Sequence, residues 1–150
     1  MNKLKLLIVS ISLIIASGIA SAASVSANAT LQSDYTWRGM TQNNGDASVN
    51  GGLDIEFDSG FYAGTWLAEV YDGIEFDVYA GISFEMMGMP MYLGATGYYY
   101  SDNFDGNYEE LNAGVDMGFM ALDVAFAGEY ENIDSNGVNT GAKSDYEHYT

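Results

Sequence analysis

Three features of the sequence predict an all-β fold, an antiparallel transmembrane β-barrel of outer-membrane type. Apolar and polar residues alternate with a period of two along most of the chain. The alternating segments run to about 9–12 residues, the length a tilted strand needs to cross a bilayer. Tight turns also alternate with longer polar loops, as expected of a barrel with turns at one membrane face and loops at the other.

The first 22 residues, "MNKLKLLIVSISLIIASGIASA", are set apart from this pattern. Lys3 and Lys5 precede an apolar run from Leu6 to Ala16, and Ala20-Ser21-Ala22 supplies small residues for cleavage. This is the layout of a secretory signal peptide, and its apolar core is too short for the roughly 20 residues of a spanning helix. Residues 23–150 are enough for one domain, a partial outer-membrane barrel. That part keeps Arg38 and Lys143 as its only Lys or Arg, against 21 acids, so nucleic acid is not an expected partner. Cysteine is absent, so packing, strand pairing or the membrane must supply stability. A 14% aromatic content with 18 glycines and one proline argues for a turn-rich sheet over a disordered acidic tail.

The first predicted strand lies in "SVSANATLQSDYTWRG", Ser24 to Gly39: Val25, Ala27, Ala29, Leu31, Tyr35 and Trp37 share one face. The second, Ser48 to Asp58, sets Val49, Leu53, Ile55 and Phe57 against Asn50, Asp54 and Glu56. The third and fifth, about Phe61 to Glu69 and Pro90 to Tyr100, alternate less cleanly because aromatics and glycines occupy both faces. The fourth, Ile74 to Glu85, opposes Ile74, Phe76, Val78 and Ile82 to Glu75, Asp77, Tyr79 and Glu85. The sixth, Leu111 to Phe119, opposes Leu111, Ala113 and Val115 to Asn112 and Asp116, with Glu110 just before it on the polar phase. The seventh, Met120 to Glu131, sets Leu122, Val124 and Phe126 against Asp123, Glu129 and Glu131, and "SDYEHYT" begins an eighth. Ser59-Gly60, Met87-Gly88-Met89 and Gly118 make tight links, and Tyr71-Asp72-Gly73 is a short exception among the longer loops.

Phe57, Phe61, Phe84 and Phe119 flank the tight turns, while Tyr35, Trp37, Tyr71, Tyr98, Tyr99, Tyr100, Tyr108 and Tyr130 flank the loops. Two aromatic girdles, one per interface, are expected of a barrel in lipid. A soluble sandwich also alternates, but with shorter strands.

Four motifs carry a family resemblance: "SDYTWRGMTQ" at Ser33 to Gln42, "GFYAGTW" at Gly60 to Trp66, "EFDVYAG" at Glu75 to Gly81 and "KSDYEHY" at Lys143 to Tyr149. Together they resemble the TorF family of outer-membrane porins, a group otherwise carried as bacterial proteins of unknown function. The resemblance spans essentially all of residues 23–150. It implies an exported barrel and a channel in the bacterial outer membrane, and brings no substrate or catalytic residue with it. The family continues beyond "YEHY" with further strands, and this chain ends in "EHYT" without a closing aromatic strand. A C-terminally incomplete barrel with about seven to eight strands is therefore expected.

With the apolar face toward lipid, the lumen would be lined by Asp34, Asp54, Glu56, Glu75, Asp77, Glu85, Glu110, Asp116, Asp123, Glu129 and Glu131, opposed by Arg38. One Arg cannot pair with eleven carboxylates, and unpaired buried charge costs several kcal/mol, so the lumen should hold water. A wet acidic lumen favours cations over anions. The expected function is a diffusion channel for small solutes or cations, with a non-conducting structural or adhesive barrel as the alternative. Arg38 reads as one satisfied salt bridge, to Asp34 or to an acid of a neighbouring strand.

No enzyme is expected. His148 is the only histidine, and a Ser/His/Asp arrangement needs partners within hydrogen-bond reach. "DNFDGN" at 102–107 lacks the spacing of a calcium loop, and nothing else suggests a cofactor or metal.

Overall fold

The computed structural model describes residues 23–102, 104–134 and 138–150; side chains at 127, 129–131, 133, 139 and 146 lie outside that description. The expected signal peptide, residues 1–22, is likewise outside it. Ten strands follow in order: β1 (Ala23–Gln32), β2 (Thr36–Trp37), β3 (Met40–Thr41), β4 (Ser48–Phe57), β5 (Phe61–Val70), β6 (Gly73–Met86), β7 (Met89–Tyr100), β8 (Tyr108–Asp116), β9 (Ala121–Ile133) and β10 (Asn139–Tyr149). All but β2 and β3 form one antiparallel meander in which each long strand pairs with its neighbours in the chain. The expectation of seven strands and the start of an eighth corresponds to these eight. The sheet is not closed: β1 and β10 are its two edges.

The turns explain the register. Met87 and Gly88 both take positive φ (58° and 77°), the two-residue hairpin geometry whose twist matches that of the flanking strands. At the other end, the first predicted strand breaks. It stops at Gln32, and Ser33 to Ala47 leave the sheet, carrying the β2–β3 hairpin. In the sequence the alternation is almost without fault through this stretch, interrupted only at Ser33, but Val25 and Leu31 are exposed on one face while Tyr35 is buried on the other.

Burial across the sheet is inverted relative to a soluble protein. Glu75, Asp77, Glu110, Asn50 and Ser48 are buried, whereas Val49, Leu53, Leu67, Ile74, Leu93 and Leu111 are exposed on the opposite face. Directly paired residues share a face, so the inner polar positions form rows across strands. One row runs Gly52, Trp66, Asp77, Tyr98, Tyr108, and the next runs Asp54, Gly64, Tyr79, Thr96, Glu110. A single cavity meets Tyr62, Tyr79, Tyr92, Glu110, Asp123 and His148, one from each of β5 to β10. Six flat strands at the usual spacing would span about 24 Å, so the sheet is curled around that cavity.

Glycines let large inner side chains lie along the wall. A Cβ on Gly64 would stand 2.5 Å from the Tyr79 ring, and one on Gly114 would collide with Tyr92. Tyrosine therefore occupies space that only glycine leaves open.

The aromatics are distributed differently from the expected pair of girdles. Phe61 and Phe119 at the turn end are exposed, but Tyr35, Tyr98 and Tyr108 at the loop end are buried on the inner face. Alternation assigned Tyr35 to the apolar side, but the break after Gln32 resets its phase.

Candidate functional site

The site lies under the β2–β3 hairpin, at the loop end of the inner face. Tyr35 anchors the hairpin, packing with Ala68 and Val70 and meeting Trp66 edge-on at 5.2 Å. Gln42 N–H donates to Tyr35 O (2.7 Å), and Tyr71 N–H donates to Gln42 O (2.9 Å), tying the hairpin to the β5–β6 link. The Thr41 hydroxyl donates to Asp34 Oδ1 at 2.6 Å, so Asp34 braces the hairpin from within.

At the hairpin tip, Arg38 and Gly39 have φ values of 47° and 82°. Left-handed backbone disfavours a side-chain-bearing residue by roughly 1–2 kcal/mol, so Arg38 stands where asparagine or glycine would be easier. Its side chain supplies the compensation. Arg38 Nη2 donates to both oxygens of Glu110 at 3.0 Å, and the guanidinium lies 4.7 Å from the centre of the Trp37 ring. Trp37 in turn contacts Tyr98 at 5.7 Å. Glu110, on β8, also accepts from Tyr98 Oη (2.9 Å) and Asn112 Nδ2 (2.8 Å). One carboxylate, itself 3% exposed, gathers donors from β7, β8 and the hairpin. The Arg38 salt bridge is thus neither to Asp34 nor to an adjacent strand: it joins residues 72 apart in sequence.

Deeper in, Glu75 and Asp77 lie side by side on β6, 1% and 7% exposed. Both oxygens of Glu75 and Oδ1 of Asp77 lack a well-formed hydrogen bond, although the Tyr35 and Tyr100 hydroxyls are close enough to interact with Glu75. Burial, reinforced by the Glu75 carboxylate, pushes the Tyr35 phenol well above its ordinary range, so it stays a neutral donor. Tyr98 stacks on Tyr108 at 4.3 Å, and Tyr100 follows at 6.3 Å, forming an aromatic layer beside the acids.

The remaining predicted lining residues divide by position. Asp54 accepts from the Tyr79 hydroxyl, and Asp123 from the Tyr92 hydroxyl at 2.7 Å. Glu56 and Glu85 are exposed toward the turn end, and Asp116 accepts from Gly118 N–H (2.7 Å) in a tight turn. Glu129 and Glu131 lie on β9 beyond a bulge that changes its register against β8, and their side chains are outside the described residues. Sequence reasoning missed the tyrosine wall of Tyr62, Tyr79 and Tyr92. Its signal is tyrosine facing glycine across paired strands, which can be read only once the register is known.

These features define a class: an all-β meander, curled, with charged and aromatic residues inside and aliphatic residues outside. The chain belongs to a bacterial family of unknown function, Gcw_chp, whose family model matches residues 16–148. No curated protein and no solved structure matches the chain. The family description carries no transport activity.

Proposed function

We propose that this chain forms a β-barrel channel of porin type in the bacterial outer membrane, passing small solutes with a preference for cations. The observation that carries the reading is the inverted sheet: buried carboxylates inside, exposed leucine, valine and isoleucine outside. Water is a poor solvent for such an outer face, and lipid is a good one. The resemblance to the TorF porins supports the same reading. An acidic inner face with Arg38 held by Glu110 leaves an excess of negative charge, which biases a pore toward cations. In lipid, the edges β1 and β10 require partners, because an unpaired strand edge leaves backbone groups unsatisfied.

The β2–β3 hairpin favours a second reading, a non-conducting structural or adhesive barrel. It folds onto the inner face and is latched at Tyr35 and at Arg38. Single-channel recording across a potassium chloride gradient separates the two. Stepwise current with a cation-selective reversal potential, reduced by Asp123→Asn and Glu75→Gln, is the expected result. Absence of current from protein shown to be folded by its heat-dependent gel mobility would leave the structural reading.

A further inference from the structure

The groove below the hairpin, about 690 Å³, is built from three tyrosines on successive strands: Tyr62 on β5, Tyr79 on β6 and Tyr92 on β7. Each lies over glycine: Tyr79 over Gly64, Tyr92 over Gly114, and Tyr62 over Gly81 and Gly94. A ring in the space a Cβ would fill is laid along the wall, so its outer surface is available to the groove. Hydrogen bonds from Tyr79 to Asp54 and from Tyr92 to Asp123 fix two of the rings and set carboxylates beside them. Trp37 closes the groove from the hairpin side, and Arg38 is engaged by Glu110.

Aromatic faces carry the negative end of the ring quadrupole and attract cations, most strongly when the site is desolvated. Anions meet repulsion from both rings and carboxylates. A small hard metal ion needs several oxygen ligands to replace its water, and among the described residues no group of three or more acids or histidines is placed to hold one. An alkylated ammonium ion has dispersed charge and sheds water readily, so it gains from both rings and carboxylates. We propose that this groove binds organic cations of the quaternary-ammonium class, with Tyr62, Tyr79, Tyr92 and Trp37 as the aromatic contacts and Asp123 as counter-charge. This names the solute class of the proposed channel and rests on the inner face being open to water.

The test is calorimetric titration of the full chain, refolded in a non-ionic detergent, with choline and with its neutral carbon isostere 3,3-dimethylbutan-1-ol. Choline binds saturably, and the alcohol about 3- to 30-fold more weakly, the range that cation–π contacts give. Tyr62→Leu and Asp123→Asn each weaken choline at least about threefold, with circular dichroism unchanged. Equal affinity for choline and the alcohol, or no binding of choline by folded protein, overturns the assignment. Because binding is read without a bilayer, choline binding by a protein that conducts no current would remove the channel reading alone. Conduction without choline binding would remove this inference alone.

Discussion

The two ends of the sheet are built on opposite terms. At the loop end, Tyr35, Glu75, Tyr98, Tyr108 and Glu110 are buried and Arg38 ties the β2–β3 hairpin to β8; at the turn end, Phe61, Met86, Met87, Phe119 and Met120 stand exposed. The loop end is held by the chain's own hydrogen bonds and ring contacts. Among the described residues nothing covers the apolar surface of the turn end, so its stability depends on what surrounds it. A soluble fold would bury the second set and leave carboxylates such as Glu75 and Glu110 exposed.

Variants at the two ends should therefore fail differently. The largest effect is expected for Glu110→Ala, which removes the carboxylate that Arg38, Tyr98 and Asn112 all donate to. Urea unfolding should show a loss of about 3–5 kcal/mol, as when one partner of a buried pair is deleted. Glu110→Gln, which keeps an acceptor oxygen, should lose less. Next is Leu93→Arg, mid-strand on the outer face: a loss of about 2–4 kcal/mol is expected in lipid vesicles, with a much smaller change for Thr96→Arg on the inner face. Gly64→Val, which displaces the Tyr79 ring, should cost about 1–3 kcal/mol and release Asp54 from its hydrogen bond. The smallest effect belongs to the turn end, where Phe119→Ser should change detergent-state stability by no more than about 0.5 kcal/mol. A large loss there would mean that protein packing covers the turn end, and the contrast would fail.

Much of this architecture was legible in the sequence because the period of two survives wherever a strand has one wet face. β4, β6 and β8 show it, and Glu75, Asp77 and Glu110 fall on the inner face as alternation placed them. Alternation misled at Tyr35 and Trp37, where a strand break leaves the phase looking continuous. The Arg38–Glu110 pair was beyond sequence reasoning, because it joins a hairpin tip to a strand five places away. The tyrosine wall was hidden for a related reason: Tyr79 and Gly64 become neighbours only through register.

The central claim is that the aliphatic face meets lipid and the acidic face meets water. The chain has no cysteine, so single spin labels can be introduced at Leu53, Leu93 and Leu111 and, for comparison, at Asp54, Thr96 and Asn112. The most direct measurement is their collision with oxygen, which partitions into lipid, and with a water-soluble nickel chelate, in vesicle-reconstituted protein. The account predicts oxygen access at the three leucine positions and nickel access at the other three, alternating along β7 and β8. Nickel access at Leu53, Leu93 and Leu111 in folded protein would contradict it.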